Sequence, residues 1–270
     1  MKSAGKDITI KINNTILCYD DEGTGDNPVI FIHGFPFNKS SWKPQLDYLS
    51  QFTRVITIDT RGYGNSVAGD DDFSMQLFAD DVIGLMDILR IDKAFICGLS
   101  MGGYIVLNAI SRYQERFYGI ILCDTQCLAD SSEGKEKRYK AIKFIDDGGL
   151  IEWINTFIKN IFSDKSHTEK KDIVEGLRSV TLSVSKESVI RTLKALAERD
   201  ETCFYLPKIT VPALIICGEN DIVVPPALSE SLHKQIKNSE FHVLPDAGHM
   251  SNLEQPEKFN ELLKKFIVKK

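Results

Sequence analysis

Gly98-Leu99-Ser100-Met101-Gly102 follows a short β-branched apolar run and precedes a stretch of helical spacing. A serine placed there has a specific use. On a tight strand-to-helix turn its hydroxyl stands clear of the backbone as a nucleophile. Glycines must flank it, because a side chain would clash with the adjoining strand and helix. The helix that follows aims its positive end at the same point. With Gly and Ser each near 7% of residues, a chain of this length matches the pattern by chance about 0.1 times, so the weight rests on the context. A helix N-cap serine in a glycine-rich turn is the plainer alternative.

A serine hydroxyl is a weak nucleophile at neutral pH and needs a base within hydrogen-bond reach. Of the five histidines, His33 sits in a turn after the third apolar run, His167 and His233 lie in polar helical surroundings, and His242 is inside a strand run. His249 differs. Asp246-Ala247-Gly248-His249-Met250 lies between the last apolar run and the last helical one, at the carboxyl edge where Ser100 also falls. The acid that orients such a histidine stabilises its imidazolium without taking the proton. Asp221, in Gly218-Glu219-Asn220-Asp221 after the seventh run, is the first candidate on the chain order Ser…Asp…His. Glu219 is nearer the strand end and suits a loop cap, and Asp124, after Leu122-Cys123, is a second position for the acid. The catalytic set expected is therefore Ser100, Asp221 and His249.

His33-Gly34-Phe35-Pro36 makes the turn after the third run. The backbone N–H groups of Phe35 and Met101 are the expected oxyanion donors, a feature that often supplies the largest share of rate enhancement. His33 is read as a brace for this loop. In Asp59-Thr60-Arg61-Gly62-Tyr63-Gly64-Asn65-Ser66, Asp59 and Arg61 are expected to pair and hold the loop's shape.

These positions need a sheet to carry them. Ile8 to Ile12 and Thr15 to Tyr19 alternate with period two around Asn13-Asn14, which predicts an antiparallel hairpin. The later runs, at 29–32, 55–58, 94–97, 120–122, 213–216 and 241–244, are almost continuously apolar, as parallel strands covered on both faces are. Helical stripes lie between them, such as Phe78, Val82, Leu85, Met86 and Leu89, and a last helix follows Pro256. The fold expected is α/β, a mostly parallel eight-stranded sheet flanked by helices. From Cys127 to Pro207 the alternation stops and only helical runs appear, which predicts a helical cap (127–207) between the sixth and seventh strands of a core formed by residues 1–126 and 208–270. Such a cap covers the edge where open α/β sheets bind ligands. Phe37, Phe144, Trp153 and Phe157 are the candidate pocket residues, and Phe162 is a further aromatic there, against the simpler reading that they pack a core. Arg138, Arg178 and Arg191 are the cations that an anionic substrate would want, each read as lying on the solvent face.

The His33-Gly34 turn, the Asp59-x-Arg61-Gly62-x-Gly64-x-Ser66 loop, the Gly98 to Gly103 elbow, Gly218-x-x-Asp221 and Gly248-His249 resemble the α/β-hydrolase superfamily over nearly the whole chain outside the helical stretch. Gly-Leu-Ser-Met-Gly-Gly-Tyr, ending at Tyr104, and Cys123-Asp124-Thr125 are similar to the branch of small bacterial carboxylesterases and 3-oxoadipate enol-lactonase-like hydrolases. The resemblance implies an acyl-enzyme mechanism on a small-molecule ester or lactone, with no cofactor and no metal. Haloalkane dehalogenases and epoxide hydrolases of this fold carry Asp where this chain has Ser100, which speaks against those activities. A ligand receptor or signalling protein with little turnover, and a cofactor-free perhydrolase using the same triad, are the alternatives.

Composition narrows the field further. The 270 residues are 43% hydrophobic and 26% charged, ordinary for a globular domain, and the net charge of −5 argues against a nucleic-acid partner. The basic stretch from Lys135 to Lys140 is interleaved with Glu136 and suits a solvated helix face. No apolar run approaches the ~20 residues of a membrane span. The first residues, Met-Lys-Ser-Ala-Gly-Lys-Asp, lack a signal-like apolar core, so a cytoplasmic monomer or homodimer is expected. Cys18, Cys97, Cys123, Cys127, Cys203 and Cys217 show no paired spacing and are all expected to be structural thiols.

Overall fold

The computed structural model describes residues 5–268; the first four residues read for a leader, and the Lys269-Lys270 pair, lie outside the described residues. The opening hairpin forms where the asparagines predict it. β1 (Gly5–Ile12) and β2 (Thr15–Glu22) pair antiparallel, with Asn13 and Asn14 left-handed at φ 43° and 61°. Two consecutive left-handed residues give a turn whose twist matches that of the strands.

The apolar runs become β3 (Val29–Ile32), β4 (Val55–Asp59), β5 (Ala94–Leu99), β6 (Phe117–Cys123), β7 (Ala213–Gly218) and β8 (Ser239–Leu244). All eight strands join one sheet in the order β1-β2-β4-β3-β5-β6-β7-β8, parallel from β4 onward. Between the strands run α1 (Lys43–Leu49), α2 (Met75–Ile88), α3 (Met101–Tyr113), α4 (Ser132–Phe144), α5 (Leu150–Ile161), α6 (Asp164–Glu169), α7 (Lys171–Leu182), α8 (Lys186–Glu198) and α9 (Pro226–Gln235), and α10 (Ser251–Glu254) and α11 (Pro256–Val268) follow β8.

Strand periodicity divides the apolar residues between two cores. Ile30 and Ile32 point into the layer that holds Phe78 and Val82 of α2 and Ile105 of α3. Val29 and Phe31 point the other way, toward Leu46 of α1 and Phe259 and Leu263 of α11. Both faces of the sheet are thereby closed to water, which is why these strands read as apolar throughout.

Helices α4 to α8 lie between β6 and β7, as the sequence predicts. Gly148, at φ 103°, breaks the chain between α4 and α5. Ser163 starts α6, its side chain accepting the Ser166 N–H as the N-cap. No helix among the described residues is long and apolar enough to cross a membrane.

Two expectations are corrected. Cys127 and Cys203 form a disulfide, while Cys18, Cys97, Cys123 and Cys217 are buried free thiols. The bonded pair is 76 residues apart in sequence but sits where the helical segment leaves and rejoins the core, so no local spacing betrays it. Arg61 does not pair with Asp59. It is wholly buried and holds Asp81 of α2 through Nε (2.6 Å) and a second nitrogen (2.7 Å). Asp59 instead accepts the backbone N–H groups of Lys39 (2.7 Å) and Asn65 (3.0 Å).

Candidate active site

β5 delivers Ser100 into an unusual backbone conformation, φ 53° and ψ −114°. Such a residue costs roughly 1–3 kcal/mol and persists only when its surroundings over-determine it. Here the Ser100 N–H donates to Cys123 O (2.9 Å) and its carbonyl accepts from Thr125 Oγ1 (2.8 Å), both from the end of β6. A Cβ on Gly98 would stand 2.2 Å from the Gly102 carbonyl, and one on Gly102 would stand 2.3 Å from Ile32 O. The two glycines are therefore a steric requirement of the elbow.

The loop after β7 meets the loop after β8. His249 Nδ1–H donates to Asp221 Oδ2 at 2.7 Å, with both residues buried. The other carboxylate oxygen, Oδ1, accepts from the N–H of Val223 (2.8 Å) and of Val224 (2.9 Å). This arrangement places the neutral imidazole's proton on Nδ1 and leaves Nε2 as the acceptor. His249 and Ser100 line one cavity of about 180 Å³, together with Phe35 and Met101. Met101 is the first residue of α3, so its N–H has no acceptor within that helix. The Phe35 N–H, in the turn after β3, donates to no described residue.

The other acids have different tasks. Asp124 accepts from the Gly218 N–H (2.8 Å) and from Ser251 Oγ, and makes no bond to His249. Burial, reinforced by the neighbouring Asp221, pushes its carboxyl well above the usual range. Glu219 accepts the Asp246 N–H at 3.3 Å and so ties the loop after β7 to the loop after β8. His33 braces its turn, donating from Nδ1 to Gly34 O (2.8 Å) and accepting the Thr60 N–H at Nε2 (3.1 Å). Complete burial lowers it to about 4, which keeps it neutral at neutral pH.

Of the four aromatic candidates, Phe157 lines the cavity. Trp153 stands behind it, stacked with ring centroids 5.2 Å apart at 19°. Phe37 is buried with its ring centroid 6.1 Å from that of Phe157, and Phe144 is 42% exposed with its ring over Gly149. Helical spacing shows that a residue belongs to a face but not which face meets the cavity. Arg138, expected to face solvent, is on the cavity wall, whereas Arg178 pairs with Glu175 and Arg191 caps the ring of Phe73. Arg138 pairs with Asp130, which Arg199 also holds at 2.7 Å. Burial opposes the Asp130 charge, but the two guanidiniums outweigh it and lower the carboxyl below its usual range. Tyr104 and Gln126 also face the cavity and were not singled out in the sequence. Tyr104 was within reach of inference, being four residues after Ser100 and so one helical turn along the same face.

A serine elbow, a buried Asp–His pair and a cavity at the carboxyl edge, beside the neighbouring strands β3 and β5, are arranged as in a hydrolase. The family model described as alpha/beta hydrolase fold matches residues 27–256, and the chain belongs to that family. The 3-oxoadipate enol-lactonase 2 of Acinetobacter baylyi is 31% identical over 253 residues, 93% of each chain. A thermophilic esterase from Thermogutta terrifontis, solved with malate bound, is similar at a TM-score of 0.93 and 33% identity, over 97% of this chain and 98% of that one. A bromoperoxidase from Bacillus anthracis is similar at a TM-score of 0.85 and 26% identity, over 93% of this chain and 95% of that one.

Proposed function

We propose that the protein is a serine hydrolase that cleaves a carboxylic ester or lactone through an acyl-enzyme intermediate, with Ser100 as nucleophile, His249 as base and Asp221 as acid. The observation that carries this reading is the buried Asp221–His249 pair sharing one small cavity with the strained Ser100. Ser100 Oγ attacks the carbonyl carbon as His249 Nε2 takes its proton, and Asp221 stabilises the imidazolium. The N–H groups of Phe35 and Met101 hold the developing oxyanion. Collapse expels the alcohol, which takes the proton back from His249. A water molecule, activated by the same base, then releases the acid and regenerates the serine. With a lactone, the alcohol stays tethered to the acyl group, so the product is a single hydroxy acid. Residues 127–207 act as a cap that decides which acyl or alcohol groups reach Ser100, over a core of residues 1–126 and 208–270. The enol-lactonase and esterase relatives support this substrate class.

The likeness to a bromoperoxidase favours one second reading, in which hydrogen peroxide replaces water in the deacylation and yields a peracid. One set of assays separates these readings. p-Nitrophenyl esters and simple lactones should be hydrolysed, with Ser100→Ala losing roughly 10⁴-fold or more of the rate and all labelling by a fluorophosphonate. Labelling that persists in Ser100→Ala sinks the nucleophile assignment. Labelling without turnover of any ester or lactone leaves the receptor alternative, and peracid formation from acetate and peroxide faster than ester hydrolysis supports the second reading.

A further inference from the structure

Glu254 ends α10, five residues after His249, and is only 1% exposed. A buried carboxyl group must be repaid by hydrogen-bond donors. It has three, from two parts of the chain. Oε1 accepts from the N–H of Gly248 (2.8 Å), the residue before His249. Oε2 accepts from the N–H of Ser163 (2.9 Å) and from Ser166 Oγ (2.7 Å), at the start of α6 in the helical insertion. The His249 N–H is held by the same segment, donating to Ile161 O at 2.8 Å. The approach is close: a Cβ on Gly248 would stand 2.7 Å from Ser163 N. The backbone of the histidine loop is thus docked on residues 161–166, with the Glu254 carboxylate as the joint.

We propose that Glu254 is a positioning residue: it places His249 by tying that residue's loop to the helical insertion, so that the segment covering the site also fixes the base. The proposal rests on the serine-hydrolase reading above. Asp221 orients the imidazole from its Nδ1 side, while Glu254 acts on the backbone from which the ring projects. A carboxylate suits the joint because both of its oxygens accept. Glutamine has one acceptor and one donor, so Glu254→Gln must set an N–H group against either Gly248 or the Ser163–Ser166 side. A misplacement of about 1 Å at a catalytic group can cost about 100-fold in rate.

The test compares wild type, Glu254→Gln, Ser166→Ala and the double variant. The rate of fluorophosphonate labelling, kcat and KM for p-nitrophenyl acetate, active-site burst titration and Tm are measured for each. Glu254→Gln should lose about 10- to 100-fold in labelling rate and in kcat per titrated site, with KM little changed. Ser166→Ala keeps the Gly248 bond and should lose several-fold, a loss that disappears in the Glu254→Gln background because the two residues act through one joint. A folded Glu254→Gln protein with wild-type rates per titrated site overturns the proposal, since a purely structural role lowers only Tm and the active fraction. If Glu254→Gln does not fold, Ser166→Ala decides alone, and an unchanged labelling rate there overturns it. Absence of wild-type labelling, or labelling that survives Ser100→Ala, would count against the hydrolase reading itself.

Discussion

Asp221 holds His249 through one carboxylate oxygen and is held by the backbone of Val223 and Val224 through the other. Asparagine at 221 can keep the two backbone donors only by turning its NH₂ toward the histidine. The imidazole must then carry its proton on Nε2, where it cannot receive one from serine. Asp221→Asn should therefore lose roughly 10⁴-fold in kcat, the scale of that tautomer error in the worked serine-protease case. Asp124→Asn should cost far less, because burial already favours the neutral acid that asparagine imitates. Ester hydrolysis rates for the two variants check this, and the reverse order would move the acid to the end of β6.

Phe157 and Trp153 stack on one another, yet only Phe157 meets the cavity. Phe157→Ala should change the preference among esters of graded chain length, shifting kcat/KM for the affected substrate by about 1–3 kcal/mol. Trp153→Ala removes the support behind that wall and should lower kcat/KM for all esters alike. A chain-length-selective effect confined to Trp153→Ala would show the two roles to be exchanged.

On the cavity wall, Arg138 shares the carboxylate of Asp130 with Arg199, so two cations face one anion. Esters that carry a second, free carboxylate should then be favoured over neutral ones of the same size. Arg138→Met should remove about 1.5–3 kcal/mol of that preference, the worth of a charged hydrogen bond, while neutral esters keep their rates. Arg199 still compensates Asp130 in this variant. Equal losses for acidic and neutral esters would contradict the assignment.

His33 makes a pH-dependent contribution with a definite sign. Its folded value, about 4, lies below the ordinary 6.5 because burial disfavours the imidazolium. The unfolded chain therefore binds the proton first, and the stability from neutral His33 is present above pH 6.5 and lost as the pH falls toward 4. The total is on the order of 3 kcal/mol, at most about 1.4 kcal/mol per pH unit. Asp124 contributes with the opposite sign, since its folded carboxyl is raised, so a difference measurement is needed. His33→Asn should be less stable than wild type at pH 7, and the two urea-unfolding curves should converge between pH 6.5 and 4. Curves that stay parallel would mean that His33 titrates alike in both states.

The elbow was legible because its signals are local: a strand period that switches to a helical one, with glycines at the two places where a side chain meets backbone. Asp221 and His249 were legible from chain order and from their place after an apolar run. What escaped depends on contacts between distant segments. Nothing near Arg61 says that Asp81 waits one helix away, and nothing near Arg138 says that α4 turns it toward the cavity. Phe144 and Phe157 look alike in sequence, and only the phase of each helix against the sheet separates an exposed ring from a cavity wall. Glu254 carried no sign of burial, because an acid beside the last helix reads as a solvated cap.

The bond between Cys127 and Cys203 closes the inserted helices into a covalent ring. A protease that cuts once inside that ring releases no fragment, because both new ends remain attached through the sulfurs. Such a nicked chain would run as a single species on a denaturing gel and fall into two pieces only after reduction.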